Sequence, residues 1–151
     1  MQKRNIWSNA DWKQVGPNAW RNEGLQLELH TDDRGDIVDI FYNTNINHVN
    51  MIRSNKGALR GNHYHVKSTQ HMLMINGSME YWYKPLNSNE PAKCELQKNW
   101  EIISTPPNEI HALKILEPET VFITFTSGLR GGKDYESDTI RVSPSIIQET
   151  K

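Results

Sequence analysis

Cysteine is nearly absent: Cys94 stands alone among 151 residues, so no disulfide can form within the chain and a reducing compartment is expected. Nothing beside it in the sequence points to a lowered thiol pKa, and it reads as an ordinary side chain. No apolar run approaches the roughly 18 residues that a membrane-spanning helix needs. The opening Met1-Gln-Lys-Arg-Asn-Ile-Trp7 lacks an apolar signal core, so neither a membrane span nor export is expected, and the cytoplasm is the expected location. Excess charge is missing as well. With 17 Lys and Arg against 18 Asp and Glu, the chain has no whole-domain field for nucleic acid, which is bound through clustered positive charge. No segment sustains a 3.6-residue period, so helix should occupy fewer than about 10% of residues. Repeats and low-complexity tracts are also absent.

What is present is a period of two. Leu25, Leu27 and Leu29 alternate with Gln26 and Glu28, and Ile37-Val-Asp-Ile-Phe-Tyr42 follows the turn Asp32-Asp-Arg-Gly-Asp36. The same strand grammar continues over residues 46–52, 71–75, 78–84, 92–96, 101–104, 110–116 and 121–126. Turn clusters such as Ser54-Asn-Lys-Gly57, Asn76-Gly77 and Thr105-Pro-Pro-Asn108 separate them. About nine short strands spaced roughly ten residues apart predict an all-β antiparallel sandwich or small barrel around one core. Residues 1–24 carry Trp7, Trp12 and Trp20 with no clean period. They are expected to form a poorly regular N-terminal arm, packed on the domain or on a second subunit. Residues 25–127 then make the barrel, and 128–151 form a polar tail packing on it. The Trp-rich arm and the open edge strands predict a homodimer.

The histidines carry the chemistry. His63-Tyr-His65 places two imidazoles at i and i+2, which share one face of a strand, and His111 follows just after Pro106-Pro107. A ligand from the next strand would complete a four-ligand cage. His71 should point away from that cage and is read as structural. His30 and His48 have no partners in the sequence and are given no role.

Gly61-Asn-His63-Tyr-His65, then four residues, Gln70, then six residues, Gly77, has the spacing of the first motif of the cupin family, which it resembles. Gln70 stands where that motif has an acidic residue. The second cupin motif is similar but worn: Pro106 and His111 match it, while Asn108 and Ile115 replace its glycine and asparagine. The resemblance implies a cupin-type antiparallel β-sandwich, or small jelly-roll barrel, with His63, His65, Gln70 and His111 as metal ligands. It implies a divalent ion such as Zn, Ni, Fe or Mn. An amide oxygen is a weaker ligand than a carboxylate, so affinity should be low, and a metal-free polar pocket is the alternative.

Leu59-Arg-Gly-Asn-His63-Tyr resembles a stretch of the dTDP-4-dehydrorhamnose 3,5-epimerases, where the arginine helps to hold substrate and the histidine removes a proton next to a ketone. Arg-Gly-Asn-His-Tyr-His is similar to the C-terminal cupin domain of capsular-polysaccharide epimerases and reductases, where the extra histidine belongs to a metal site. Asn76-Gly-Ser78 and Asp134-Tyr-Glu-Ser-Asp-Thr-Ile-Arg141 resemble segments of the dTDP-sugar 3,4-ketoisomerases. All three act on nucleotide-linked 4-keto sugars. The resemblance therefore implies an epimerase or ketoisomerase of nucleotide sugars, in polysaccharide precursor synthesis. A metal-dependent dioxygenase and a non-catalytic sugar-binding module are the alternatives, the latter favoured by Gln70 and the worn second motif.

Proton transfer beside a carbonyl needs a base, an electrophile for the enolate oxygen and a dry pocket. His63 is the candidate base, but its lone pair cannot hold a metal and a proton at once. Arg60 suits paired hydrogen bonds to a diphosphate and Lys67 adds a point charge, although each also fits a solvated strand end. Met79, Tyr81 and Tyr83 share one face; if it lines the barrel, Tyr81 is a candidate proton donor and Tyr83 a candidate stacking residue, and otherwise both pack the core.

Overall fold

The alternating runs fold into antiparallel ladders. The computed structural model describes residues 1–8 and 12–149; residues 9–11 of the expected arm and 150–151 of the tail lie outside the described residues. The first strands are β1 (Gln2–Asn5), β2 (Lys13–Gly16), β3 (Ala19–Asn22), β4 (Leu27–Asp32), β5 (Gly35–Val38), β6 (His48–Ser54) and β7 (Leu59–His65). Next come β8 (Gln70–Asn76), β9 (Ser78–Pro85), β10 (Lys93–Lys98), β11 (Glu101–Thr105), β12 (Glu109–Ile115), β13 (Thr120–Thr126) and β14 (Thr139–Arg141). Among the described residues there is no α-helix, only a 3-10 turn at Gly132–Asp134, and no helix is long and apolar enough to cross a membrane.

The chain packs as two compact units, Arg4–Asn45 and the remainder. The smaller is a four-stranded meander, β2-β3-β4-β5. This corrects two expectations. Residues 13–22 are a hairpin, not an irregular arm: Pro17-Asn18 turns the chain, and a register shift between Gln14 and Gly16 breaks the period that would have revealed the strand. Residues 25–45 belong to this smaller unit, not to the barrel. Leu27 and Leu29 are buried, but Leu25 is exposed, because Gln26 takes a left-handed φ of 55° and restarts the alternation. Trp7, Trp12 and Trp20 are each half-buried.

The larger unit is a sandwich of two five-stranded sheets, ordered β1-β11-β8-β13-β6 and β10-β9-β12-β7-β14. Its core is Met72, Met74, Met79, Tyr81, Ile103, Leu113, Ile115 and Phe122. Strand β13 shows the construction most clearly, since its burial alternates along the whole strand: Thr120, Phe122, Thr124 and Thr126 face inward. Along both sheets the inward residues change from apolar to polar. Met74 neighbours Phe122 and Met79 neighbours Ile115 at one end; Gln70 neighbours Thr126 and His63 neighbours His111 at the other. The tail is tied into the second sheet, with Thr139 opposite His65 and Arg141 opposite His63.

One turn bears closely on stability. Gly77 joins β8 to β9 at φ 100°, and a Cβ there would lie 2.3 Å from Thr120 Oγ1. Both the backbone angle and the space require glycine. Gly77→Ala is expected to destabilise the chain by about 1–3 kcal/mol, read as a fall in the thermal or urea unfolding midpoint. An unchanged midpoint would contradict the turn.

Candidate active site

Strand β7 alternates so that His63 and His65 point inward while Tyr64 does not, and β12 places His111 opposite His63. The three imidazoles are almost fully buried. Their ligating atoms lie within 4.8 Å of one another, and the ring centroids are 4.7 to 5.4 Å apart. Two left-handed residues set up this placement. Gly61 (φ 74°) and Asn62 (φ 59°) kink β7 just before His63, at the level where the β12 register shifts between His111 and Ala112. A Cβ on Gly61 would stand 2.9 Å from the His111 carbonyl oxygen, so the close approach of the two strands also requires glycine.

The surroundings keep the rings neutral. Burial, followed by His111, His65 and the Arg130 and Arg141 guanidiniums, holds His63 down to about 2. Burial, then His65, holds His111 down to about 3 despite the Glu109 carbonyl beside it. Burial and then Arg130 lower His65 too, and Asp138 and the neighbouring Gln70 side chain offset part of the effect. His111 Nδ1 lies 3.2 Å from the Glu109 carbonyl oxygen, to which it donates, and His65 Nδ1 lies 3.3 Å from Thr139 Oγ1. Those contacts orient the rings in the way that metal-ligating histidines are usually held. His65 Nε2 and His63 Nδ1 are buried without a protein partner among the described residues. A buried polar atom left unpaired costs about 1–3 kcal/mol. Three neutral imidazoles, two with an unpaired nitrogen, beside the neutral oxygen of Gln70 therefore fit a borderline divalent cation.

A cavity of about 730 Å³ opens onto the cluster; His63, Gln70 and His111 line it, and so do Arg60, Arg130 and Arg141. Arg60 is held by Ser54, its Nε donating to the hydroxyl at 2.7 Å. Arg141 pairs with Glu136 at 2.5 Å. The other sequence candidates lie elsewhere. Tyr81 is wholly buried, stacks on His111 with ring centroids 6.1 Å apart and shares a hydrogen bond of 2.5 Å with Thr105. It supports His111 from behind and is not part of the cavity lining. Tyr83 packs beside Tyr81, 5.6 Å between centroids, and Lys67 is exposed on the loop after β7; neither lines this cavity. His71 turns to Ser104 at 2.6 Å. Cys94 is exposed, its thiol pKa raised by burial and by Glu80 and Glu95.

Sequence reasoning missed three contributors. His48 lines the cavity from β6, a strand without motif spacing. Asn62 donates from Nδ2 to the Val142 carbonyl at 2.7 Å and accepts from the Ile146 amide at 2.9 Å, clamping the tail. Asp138 accepts hydrogen bonds from the backbone amides of Val66, Lys67 and Ser68. For the tail the sequence offered the loop Gly128-Leu-Arg-Gly-Gly-Lys133, with two cations, and the acidic and tyrosine-containing stretch at 134–141, and neither carried geometry.

Comparison with known proteins agrees with this architecture. Curated proteins provide no match, but solved structures do. The 3,4-ketoisomerase QdtA from Thermoanaerobacterium thermosaccharolyticum, a double mutant in complex with TDP, is 22% identical, with TM-score 0.61 over 77% of this chain and 83% of that one. The dTDP-4-dehydrorhamnose 3,5-epimerase from Sulfolobus tokodaii is 18% identical, with TM-score 0.64 over 91% and 84%. The capsular polysaccharide assembling protein CapF from Staphylococcus aureus is 20% identical, with TM-score 0.57 over 77% of this chain but only 32% of CapF. These likenesses show the fold, a cupin-type β-sandwich. With its family model matched across residues 30–130, more than half of its length, the chain belongs to the polysaccharide biosynthesis C-terminal domain family.

Proposed function

We propose that this chain is a cytoplasmic epimerase or ketoisomerase of nucleotide sugars, moving a proton next to a sugar ketone in polysaccharide precursor synthesis with a divalent metal in the barrel. The observation that carries the reading is the cavity itself. Its volume falls within the roughly 300–1,000 Å³ of small-molecule sites, its floor is a neutral histidine cluster, and its walls bring Arg60, Arg130 and Arg141 toward one space. Guanidinium groups suit a diphosphate, which they bind through paired, charge-assisted hydrogen bonds. The similar 3,4-ketoisomerase and 3,5-epimerase described above support the same substrate class.

His63, His65, His111 and Gln70 would hold the ion, which supplies Lewis-acid polarisation of a substrate oxygen. The protein's own part is to keep the three rings neutral, fix their orientation through Glu109 and Thr139, and shield the reacting centre from water. In this reading His63 serves as a ligand and not as the base. Tyr81 cannot take the base's place, since its hydroxyl is committed to Thr105 and its pKa is raised well above 10 by burial. The proton needs another carrier.

Two measurements test the reading. Protein purified without chelator and supplied with Ni²⁺, Zn²⁺, Fe²⁺ or Mn²⁺ is expected to hold about one ion per chain. His65→Ala and His111→Ala should each weaken binding by more than the roughly 10–100-fold typical of an outer-shell change, and Gln70→Glu should tighten it. Metal at background in the wild type under excess ion would remove the cage. In D₂O, NMR should show deuterium entering dTDP-4-keto-6-deoxyglucose beside the ketone. Binding without exchange would make the chain a sugar-binding module instead.

We also read the chain as a homodimer, because β6 ends its sheet and exposes Val49 and Met51. Sedimentation is expected to give twice the 17.5 kDa chain mass, and a monomer at micromolar concentration would refute the dimer.

A further inference from the structure

A row of polar side chains faces the histidine cluster from the opposite sheet. Thr126 points inward at the end of β13, and the register sets His48 of β6 on one side of it and Gln70 of β8 on the other. Two residues back along β13, Thr124 donates to the Asn50 side chain. His48, Asn50, Thr124 and Gln70 line the same cavity as His63 and His111. Two buried atoms in this row, His48 Nδ1 and Thr126 Oγ1, have no protein partner among the described residues. Gly131 of the tail lies beside the His48 ring: a Cβ added there would lie 3.4 Å from Cδ2 and 3.5 Å from Nε2. Because β6 is an edge strand and His48 is only half-buried, the ring can exchange protons with solvent.

Most of the other groups able to move a proton are engaged; Tyr135 also lines the cavity, but it is 68% exposed and stands toward solvent. His63, His65 and His111 are the proposed ligands. Among the remaining described histidines, His30 meets Glu28 and His71 meets Ser104. Glu136 lines the cavity but is paired with Arg141, and the Tyr81 hydroxyl is tied to Thr105. We propose that His48 is the catalytic residue that carries the proton; this rests on the isomerase reading given above. The neutral ring accepts the proton from the carbon next to the ketone. The C–H electron pair becomes a C=C bond and the carbonyl π pair moves onto oxygen, which the opposite wall faces. Return of a proton from the imidazolium to that carbon restores the substrate, whereas its delivery to the former carbonyl carbon, as the proton of the neighbouring hydroxyl passes to the enolate oxygen, moves the ketone; both restore the neutral ring, and a deuteron enters whenever the imidazolium has exchanged with D₂O in between.

The test compares the full wild-type chain with His48→Gln, following metal content, dTDP binding, melting temperature and deuterium entry into dTDP-4-keto-6-deoxyglucose. Loss of a general base lowers rates by about 10²–10⁴-fold. Exchange is therefore expected to fall at least about 100-fold, while metal and dTDP binding stay at wild-type levels. A variant that exchanges within about threefold of wild type overturns the role of His48 and leaves the isomerase reading standing. Loss of metal in the variant overturns it too, because the defect would then be one of the ion. A wild type that neither binds nor exchanges the sugar removes the isomerase reading and the role of His48 together. Should His48→Gln melt at a lower temperature than wild type, His48→Asn is judged by the same outcomes.

Discussion

Strand β7 has to pair on both edges and still aim two imidazoles inward, and the site depends on how it does so. The kink at Gly61 and Asn62 absorbs the register shift against β12 and leaves His63 facing His111. The same kink turns the Asn62 amide outward onto Val142 and Ile146. Asp138 makes the reciprocal attachment, capping the amides just after His65; burial alone would raise its pKa, but hydrogen bonds from Ser68 and Lys67 and the nearby His65 outweigh it. Strand β14 is thus fastened at both ends of its pairing with β7, and the loop before it carries Arg130 to the cavity. Histidine placement and cavity wall are consequences of one local backbone constraint.

The polarity gradient along the sandwich explains why such a site is tolerated. Large apolar side chains such as Phe122, Met74 and Ile103 are wholly buried, each contributing roughly 1.5–3 kcal/mol. An unpaired buried polar atom costs about 1–3 kcal/mol, so the orphaned atoms of His48, His63, His65 and Thr126 offset several core residues. Concentrating the apolar contacts at one end of the sheets leaves the other end free to hold polar groups poised for a ligand. Tyr81 stands at the boundary, its ring in the core and its hydroxyl on Thr105.

The sandwich was legible because short apolar runs recur between turn residues from β8 to β13; β13 alternates along its whole length, while β8 and β12 are buried at consecutive positions. The histidine trio was legible through spacing: two residues apart on a strand means one face. Long-range register is what sequence could not supply. His48 has no histidine or acidic neighbour within its own strand, and its relation to Gln70 runs through the intervening Thr126 of β13. Tyr83 misled in the opposite direction. It shares a face with Tyr81, but that face meets the core before the cavity begins. In the smaller unit, a bulge and a left-handed Gln26 disrupted the period on which strand recognition relies.

Gln70 gives the electrostatics their direction. A carboxylate there would balance part of an ion's charge, whereas the amide leaves three neutral imidazoles facing a wall that carries Arg60, Arg130 and Arg141. Of the nearby acids among the described residues, Glu136 is paired with Arg141 and Asp138 is spent on backbone amides. Burial comes first in keeping His63 unprotonated, then His111 and His65, and only after them the Arg130 and Arg141 guanidiniums, whose charge a divalent cation would also feel. In the proposed reading an anionic diphosphate against the guanidiniums would offset that charge. Ion and nucleotide sugar would then favour each other's binding, and by linkage each would strengthen the other equally. In the proposed reading, a cage with a weak oxygen ligand would regain through that coupling part of what it gives up in intrinsic affinity.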